Sequence, residues 1–201
     1  LGALSTTPNI EVKIKGDHSL NKRSMKKLIN LLSEFGATFL PRGKDKFPLK
    51  FISSNFPVAI KYKAGVSAQL KSAAILAGLN SYGNTIIEEN IISRDHTENL
   101  LKDNRQSIQI KKGKKRIITV FGKNFLKPIN LNIGGDPSSA AFFTALTLLN
   151  TNSSLKIKNV GLNPTRTGFF NILKNQKAKI KFLNVKKDNN EVKGDIFVSS
   201  C

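Results

Sequence analysis

The sequence is poor in the side chains that form disulfides and metal sites, since its 201 residues include one cysteine and two histidines. Cys201 cannot form an internal disulfide, and we therefore expect a reducing, cytoplasmic compartment. The two histidines lie far from this cysteine, so we expect no zinc-type cluster, and no base near Cys201 would make it a nucleophile. The sequence thus predicts no metal site, and it contains no Walker, Rossmann or Ser-His-Asp pattern.

Long apolar runs are also missing. No stretch approaches the roughly 18 residues that a membrane-spanning helix needs, so we expect no membrane partner. Residues 1–4 lack the basic and apolar regions of a secretory signal, and they resemble the end of a helix cut from a longer protein.

Acidic residues are scarce: 13 Asp and Glu stand against 33 Lys and Arg, which gives a formal net charge of +20. Such a charge implies anionic partners, which are nucleic acid, a membrane surface or phosphorylated metabolites. Only six of the basic residues are arginine, the side chain that base readout favours, and tryptophan is absent. A basic RNA-binding module, the alternative from a different class, also predicts exposed aromatics on a sheet face. Because Phe142-Phe143 and Phe169-Phe170 are predicted at core positions of helices, we expect no nucleic-acid partner.

Short elements joined by tight turns follow one another along the chain. Alternation at period two predicts strands, and apolar residues at helical spacing predict helices. The first predicted helix follows Asp17 and Ser19, includes Arg23 and ends at Gly36. The other predicted elements are strands at 11–15, 38–40, 49–52 and 58–62, helices at 67–79, 95–101 and 138–149, and a hairpin of 108–110 with 116–120.

The chain repeats itself at a shift of 70 residues. This shift aligns Gly65 with Gly135, and Leu79-Asn80 with Leu149-Asn150, without a gap. Each copy reads as a small-residue turn, a long apolar helix, a strand, a second helix and further strands. A helix that is apolar on most of its circumference is buried on most sides. The repeat therefore predicts an α+β fold of stacked βαβαββ units, each with a buried helix behind a small sheet, rather than a doubly wound sheet.

Small-residue turns precede three of the predicted helices, at residues 64–69, 92–97 and 134–139. A helix start offers unpaired N–H groups and the positive end of the helix dipole, which suit a phosphate or carboxylate. Ser67 and Ser93 add hydroxyl donors, and Gln69 adds an amide. Arg94 adds a forked cation that matches phosphate oxygens. The alternative interpretation for each turn is simple N-capping by serine or aspartate.

Two further side chains are candidates for a site. Arg23, inside the first predicted helix, would oppose the helix dipole, which is explained either by a compensating anion or by exposure to solvent. His96 stands beside Asp95, and it is either a substrate-facing imidazole or a surface hydrogen-bond partner.

Four motifs resemble those of the 5-enolpyruvylshikimate-3-phosphate synthase family. Residues 67–73, with 76–79, resemble its SAQ-x-KSA…LAGL segment, and residues 93–98 resemble its SRDHTE motif. Residues 16–25 are similar to its GDxSLxxRPM signature, and residues 135–140 are similar to its GDxSSA turn. The motifs follow the family's order and spacing, and they cover nearly the whole chain.

The resemblance implies a fold of the enolpyruvyl transferase type, with two lobes of βαβαββ units that each resemble an inside-out α/β barrel. Residues 1–133 would form most of one lobe, with a partial unit at 1–57 and a complete unit at 58–133. Residues 134–201 would begin the return into the second lobe.

The resemblance also implies an activity in aromatic amino acid biosynthesis. This activity is transfer of the enolpyruvyl group of phosphoenolpyruvate to the 5-hydroxyl of shikimate 3-phosphate, with release of phosphate. No cofactor is implied, the full-length enzyme would be a monomer, and the catalytic residues would lie outside this chain. The implied binding residues are Arg23 for phosphoenolpyruvate and Ser67, Ala68, Gln69, Ser93 and Arg94 for shikimate 3-phosphate.

The chain departs from the family pattern in two respects. Ser24 stands where the signature has proline, which loosens the helix start but leaves Arg23 in register. Segments expected before Leu1 and after Cys201 are absent, so we expect the chain by itself to be inactive. The alternative enzyme is the sibling UDP-N-acetylglucosamine enolpyruvyl transferase, which shares the repeat, although the SAQ-x-KSA and SRDHTE-like motifs favour the shikimate enzyme.

Overall fold

The computed structural model describes residues 1–200, so that Cys201 and the argument about its reactivity lie outside the described residues. The helices are α1 Gly2–Ser5, α2 His18–Lys22, α3 Lys26–Glu34, α4 Ala68–Gly78, α5 His96–Leu101, α6 Pro137–Leu149 and α7 Gly168–Asn175. The strands are β1 Glu11–Ile14, β2 Thr38–Leu40, β3 Leu49–Ile52, β4 Lys61–Ala64, β5 Asn84–Glu89, β6 Ile108–Lys111, β7 Arg116–Phe121, β8 Ser154–Gly161, β9 Ile180–Asp188 and β10 Glu191–Ser199.

These elements form two compact units. The first unit contains Leu1–Ser93 and Leu101–Lys127, and the second contains Arg94–Leu100 and the residues from Pro128 onward. The division between residues 133 and 134 that the sequence suggests for the lobes stays a prediction.

The first unit holds two sheets around one hydrophobic core. Strands β1, β3 and β2 form an antiparallel sheet in that order. Strands β4, β5, β7 and β6 form a mixed sheet in which β4 and β5 run parallel and the other neighbours run antiparallel. Side chains alternate along β7, where Arg116, Ile118 and Val120 are buried, because successive residues of a strand point to opposite faces.

Helix α4 lies at the centre of the first unit. Ala74, Ile75 and Ala77 are fully buried, and the helix contacts β4, β5 and β7 as well as α1 and α3. A Cβ at Gly78 would stand 3.0 Å from side-chain atoms of Thr85, so glycine allows the helix to approach the sheet closely. The prediction of a helix buried on most sides is confirmed for α4.

The second unit contains a three-stranded antiparallel sheet, the helices α6 and α7, and all of α5 except Leu101. Its strands lie in the order β8, β10, β9, and α6 and α7 pack against them. The core of this unit contains Val160, Phe170, Ile196 and Val198, each at most 1% exposed.

The repeat predicted from the sequence is confirmed by the topology of the two units. In each unit the last strand of the copy lies between the other two: β7 between β5 and β6, and β10 between β8 and β9. In the first unit Ala64 pairs with Glu89 in a parallel arrangement, and in the second unit a parallel bridge joins Gly135 and Val160. When the copies are aligned by the shift of 70 residues, Gly135 and Val160 each lie one position after the residues that match Ala64 and Glu89. The α+β repeat is therefore a property of both sequence and structure.

Helix α6 differs from α4 in having an uncovered face. Phe142, Phe143, Leu146 and Leu149 are 56–86% exposed, so the prediction of core positions for the two phenylalanines was wrong. In the second predicted pair only Phe170 is buried, whereas Phe169 is 39% exposed. The physical reason is that α6 packs on β8 and β10, while the described residues of its unit supply no counterparts of α1 and α3.

The first predicted helix is broken in two, between α2 and α3. Ser24 Oγ donates a hydrogen bond to Asp45 Oδ2 at 2.5 Å, and the amide of Met25 donates to the carbonyl of Asp45 at 2.6 Å. These bonds to a distant loop replace the bonds of a continuous helix. Arg23 consequently caps the carboxyl end of α2, where a cation is favourable, and the prediction that it opposes a helix dipole was wrong.

We predict that Ile75→Ala lowers the free energy of unfolding by about 2–5 kcal/mol, because it leaves a cavity at a fully buried position of α4. Leu146→Ala, on the exposed face of α6, should cost less than about 1 kcal/mol. Urea unfolding followed by circular dichroism measures both losses. Equal losses for the two variants would contradict this assignment of covered and uncovered faces.

Candidate functional site

The first unit brings two of the predicted turns to one edge of its mixed sheet. Strands β4 and β5 are parallel, with Ala64 opposite Glu89, so the segments that follow them leave the sheet at the same edge. Residues 65–69 lead into and begin α4, and residues 90–93 lead away from β5. We call these two segments the serine edge, after Ser67 and Ser93. In parallel sheets this carboxyl edge of the strands is where ligands commonly bind.

The start of α4 is only partly capped. Ser67 is the N-cap, and its Oγ accepts a long hydrogen bond of 3.4 Å from the amide of Leu70. The amide of Lys71 donates to the carbonyl of Ser67. The amides of Ala68 and Gln69, in the first turn, point outward at the helix start, where the helix itself offers them no acceptor. The first turn carries no acidic residue, so this positive end of the helix dipole is available to an anion.

Ser93 is held from within the protein. Its amide and its Oγ both donate to Oε1 of Glu89, each at 2.7 Å, and the residue is 9% exposed. A serine hydroxyl has one proton, so in this arrangement Ser93 keeps only acceptor capacity for other partners. The prediction that Ser93 supplies a hydroxyl donor requires this hydroxyl to rotate away from Glu89.

A buried ionic cluster lies directly behind the serine edge. Lys71 Nζ is 2.9 Å from Glu89 Oε1, and Arg116 Nη1 is 3.4 Å from Glu89 Oε2. The side chains of Lys71 and Glu89 are 0% exposed, and that of Arg116 is 7% exposed. The cluster ties the first turns of α4 to the end of β5 and the start of β7. It thereby fixes the two segments of the serine edge relative to each other.

The pKa of Glu89 reflects these contacts. Burial by itself raises the pKa of this carboxyl, but hydrogen bonds from Lys71 and from the amide and hydroxyl of Ser93 outweigh burial and hold the pKa below its ordinary value. Glu89 is therefore an ionised hydrogen-bond acceptor at neutral pH.

The cluster was not recognised in the sequence, although one signal was present. Lys71 is the single charged residue of an otherwise apolar helix, and a lysine at a buried position needs an ionic partner. That signal indicates a buried pair, but it does not identify Glu89 or Arg116 as the partners.

Apolar side chains flank the serine edge. Val66, Ile91 and Ile92 are 74%, 65% and 62% exposed, although each stands within two residues of Ser67 or Ser93. If these three apolar side chains were covered, water would be removed from the polar groups that lie between them. The electrostatic interactions of those polar groups with a ligand would then be stronger.

The other predicted site residues lie away from the start of α4 or in the other unit. Arg23 is exposed beside the Asp45 loop of the first unit. Arg94 is exposed and belongs to the second unit, where Asp95 next to it accepts a 2.9 Å hydrogen bond from Asn163. The structure thus brings Ser67, Ala68, Gln69 and Ser93 together, and the roles of Arg23 and Arg94 stay predictions.

His96 also belongs to the second unit. Its Nδ1 lies 2.9 Å from Glu191 Oε1, and its side chain is 46% exposed. The contact with Glu191 supports the interpretation of His96 as a hydrogen-bond partner near the surface, and His96 also lines a cavity of the second unit.

At the third predicted turn, residues 134–139, side chains of the protein already occupy the groups that could bind an anion. Asp136 caps α6 and accepts hydrogen bonds from the amides of Ser138 and Ser139, both at 3.2 Å. Arg166 Nη2 lies 2.6 Å from Asp136 Oδ1. The bonds from the Ser138 and Ser139 amides and from the Ser139 hydroxyl, together with Arg166, lower the pKa of Asp136. At this turn the N-capping alternative describes the structure.

Two cavities of about 380 Å³ lie elsewhere. One, in the second unit, is lined by residues that include His96, Arg166 and Lys193, and the other lies between β1, β3 and Pro41 in the first unit. None of the six predicted site residues lines either cavity. Within residues 1–200 no group of three or more His, Cys, Asp or Glu side chains could hold a metal ion, and no helix is long and apolar enough to cross a membrane.

Comparison with known proteins finds relatives along nearly the whole chain. Residues 1–196 match the EPSP synthase (3-phosphoshikimate 1-carboxyvinyltransferase) family. A 3-phosphoshikimate 1-carboxyvinyltransferase of Petrotoga mobilis is 42% identical over 202 residues, which cover 100% of this chain and 46% of that protein. The corresponding protein of Ruegeria sp. is 37% identical, with 98% of this chain and 44% of the relative covered. The chain thus spans less than half the length of these curated relatives.

The solved structure of EPSP synthase from Acinetobacter baumannii matches 98% of this chain and 44% of that one, with a TM-score of 0.80 and 30% sequence identity. The fold class predicted from the repeat is confirmed by this similarity. The family match over residues 1–196 and these similarities together show that the chain belongs to the EPSP synthase (3-phosphoshikimate 1-carboxyvinyltransferase) family.

Proposed function

We propose that the protein transfers the enolpyruvyl group of phosphoenolpyruvate to the 5-hydroxyl of shikimate 3-phosphate and releases phosphate, and that this chain supplies part of the binding site for shikimate 3-phosphate. The observation that carries the proposal is the convergence of Ser67, Ala68, Gln69 and Ser93 at the serine edge. The curated relatives are named for the transfer of a carboxyvinyl group and for 3-phosphoshikimate.

The chemistry of the serine edge fits a phosphorylated, polyhydroxylated acid. The open amides at the start of α4 suit phosphate oxygens, and the exposed carboxamide of Gln69 can both donate and accept. The hydroxyl of Ser93 donates its hydrogen bond to Glu89, so its oxygen is suited to accept a hydrogen bond from a hydroxyl of the substrate. The net charge of +20 favours the approach of two multiply anionic substrates.

The reaction is an addition followed by an elimination. In the addition, the 5-hydroxyl oxygen bonds to C2 of phosphoenolpyruvate and loses its proton, while C3 gains a proton, which gives a tetrahedral ketal. In the elimination, a proton leaves C3 and the C2–O bond to phosphate breaks, which re-forms the double bond between C2 and C3 and gives the enol ether product. The contribution of this chain is to bind and orient shikimate 3-phosphate, with Gln69 between the substrates and Arg23 and Arg94 as cations for their anionic groups. The proposal gives the residues of this chain binding roles only and assigns none of them a proton transfer.

The alternatives receive less support from the structure. Within residues 1–200 the three most exposed phenylalanines, Phe56, Phe125 and Phe142, lie in loops or on a helix and not on a sheet face, which does not favour an RNA-binding module. The UDP-N-acetylglucosamine enzyme shares the repeat, but the family match and the names of the relatives favour the shikimate substrate. A cytoplasmic location and a monomeric full-length enzyme are part of the same proposal.

We predict that shikimate 3-phosphate binds weakly to the 201-residue chain and shifts the amide resonances of Ala68, Gln69 and Ser93 in an NMR titration. Gln69→Ala should weaken this binding by about 1–2 kcal/mol, because it removes a hydrogen-bonding carboxamide. Gln109→Ala, at an exposed position of β6 in the same unit, is the matched control and should bind as the original chain does. Shifts confined to other surfaces would exclude the serine edge as the binding site.

We predict that Arg94→Ala in the complete protein weakens the binding of shikimate 3-phosphate by about 2–4 kcal/mol in calorimetry, as expected for the loss of a charge-assisted contact. Arg105→Ala removes another exposed arginine and leaves the net charge the same as in the first variant, so it separates a local contact from general attraction. Unchanged affinity in Arg94→Ala would remove Arg94 from the site.

We predict that the 201-residue chain does not turn over when it is given both substrates, because the relatives that carry the activity are more than twice as long. A coupled assay of phosphate release measures this. Robust release of phosphate would show that the described residues contain the whole catalytic machinery.

A further inference from the structure

The buried carboxylate of Glu89 contacts three separate segments of the first unit. It accepts from Lys71 on α4, from Arg116 at the start of β7, and from both the amide and the hydroxyl of Ser93. Glu89 is also the last residue of β5, directly opposite Ala64 at the end of β4. It therefore stands where the two segments of the serine edge diverge.

The position of the 90–93 segment depends on this carboxylate. The side chains of Asn90, Ile91 and Ile92 are exposed, so they contribute little packing that could fix the segment. The two 2.7 Å bonds from Ser93 to Glu89 are the contacts that bring the segment back to the sheet. Hydrogen bonds to an ionised acceptor are about twice as strong as neutral ones, so this attachment is firm.

A purely structural role does not account for the whole arrangement. A buried ion pair between α4 and β5 needs only Lys71 and Glu89, and such pairs can often be replaced by apolar residues without loss of stability. Here the same oxygen also takes both polar hydrogens of Ser93, and this fixes the direction of the hydroxyl as well as the backbone.

We propose that Glu89, held between Lys71 and Arg116, is a positioning residue of the substrate site, which acts through Ser93 by fixing the 90–93 segment beside the start of α4. This inference rests on the proposed function for its consequence in binding, but its structural part can be tested without a substrate. Lys71 orients the carboxylate from α4, and Arg116 orients it from β7.

The first experiment uses hydrogen exchange and needs no ligand. In the original chain the amide of Ser93 should be protected, and Glu89→Gln should speed its exchange at least about tenfold relative to the amide of Ile118, which reports on the sheet. Because contacts hold the pKa of Glu89 below its ordinary value, protection should be present at neutral pH and be lost only as the pH falls through the lowered pKa. Unchanged exchange at Ser93 in Glu89→Gln would overturn the proposal.

The second experiment is a double-mutant cycle measured by NMR titration with shikimate 3-phosphate. Glu89→Gln and Ser93→Ala should each weaken binding about tenfold. The double variant should also lose only about tenfold in affinity, because both changes remove the same interaction between Glu89 and Ser93. Glu11→Gln, in the exposed ion pair with Lys50, is the matched control and should bind normally. Losses that multiply to about a hundredfold would show that Glu89 does not act through Ser93.

Two further measurements keep the inference testable if Glu89→Gln does not fold or if the original chain does not bind shikimate 3-phosphate. If Glu89→Gln does not fold, Lys71→Arg and Lys71→Met replace it: the arginine should preserve the protection of Ser93 and the methionine should lose it, whereas equal exchange in both variants would overturn the proposal. If the original chain does not bind shikimate 3-phosphate, the proposed function fails, and the exchange of Ser93 alone decides the inference about Glu89.

Discussion

The ionised carboxylate of Glu89, with no exposed side-chain surface, is the constraint on which the first unit depends. A buried charge is tolerated only when oppositely charged groups and hydrogen-bond donors surround it. Here those groups come from helix α4, strand β7 and the segment that ends at Ser93. Satisfying one charge therefore fixes three segments of backbone at once, and it does so at the edge where parallel strands end. The need for a lysine partner also explains why the apolar helix α4 contains Lys71.

Much of the fold follows from local patterns in the sequence. Strands β2 and β3 lie where alternation predicts them, and the helices α4 and α6 begin and end within one residue of their predicted bounds. The repeat at 70 residues predicted the shared order of elements, and the parallel bridge from Gly135 shows that even the pairing register is retained. Such features can be predicted because periodicity and helix-start chemistry are encoded by neighbouring residues.

The errors concern contacts between residues far apart in sequence. The break at Ser24 depends on Asp45, which is 21 residues away, and no pattern around Ser24 reveals it. Likewise the apolar composition of α6 predicts burial, but burial depends on whether another element covers Phe142 and Leu146. In the site, Ser67, Gln69 and Ser93 were recognised from their places at helix starts and in family motifs. Glu89 and Arg116 were not, because they lie 18 and 45 residues from Lys71 and are joined to it only in the folded chain.

Helices α4 and α6 occupy corresponding places in the repeat, yet their starts differ in chemistry. Asp136 gives α6 an anionic cap whose oxygens occupy the amides of Ser138 and Ser139 and attract Arg166. An anionic ligand would meet both an occupied site and a like charge there. Ser67 gives α4 a neutral cap with one long bond, so the amides of Ala68 and Gln69 and the helix dipole remain available. In the first unit the carboxylate of Glu89 lies buried behind the edge, where Lys71 and Arg116 offset its charge. The start of the helix is thus closed by its own carboxylate in one copy and left open in the other, according to where the carboxylate of each copy lies.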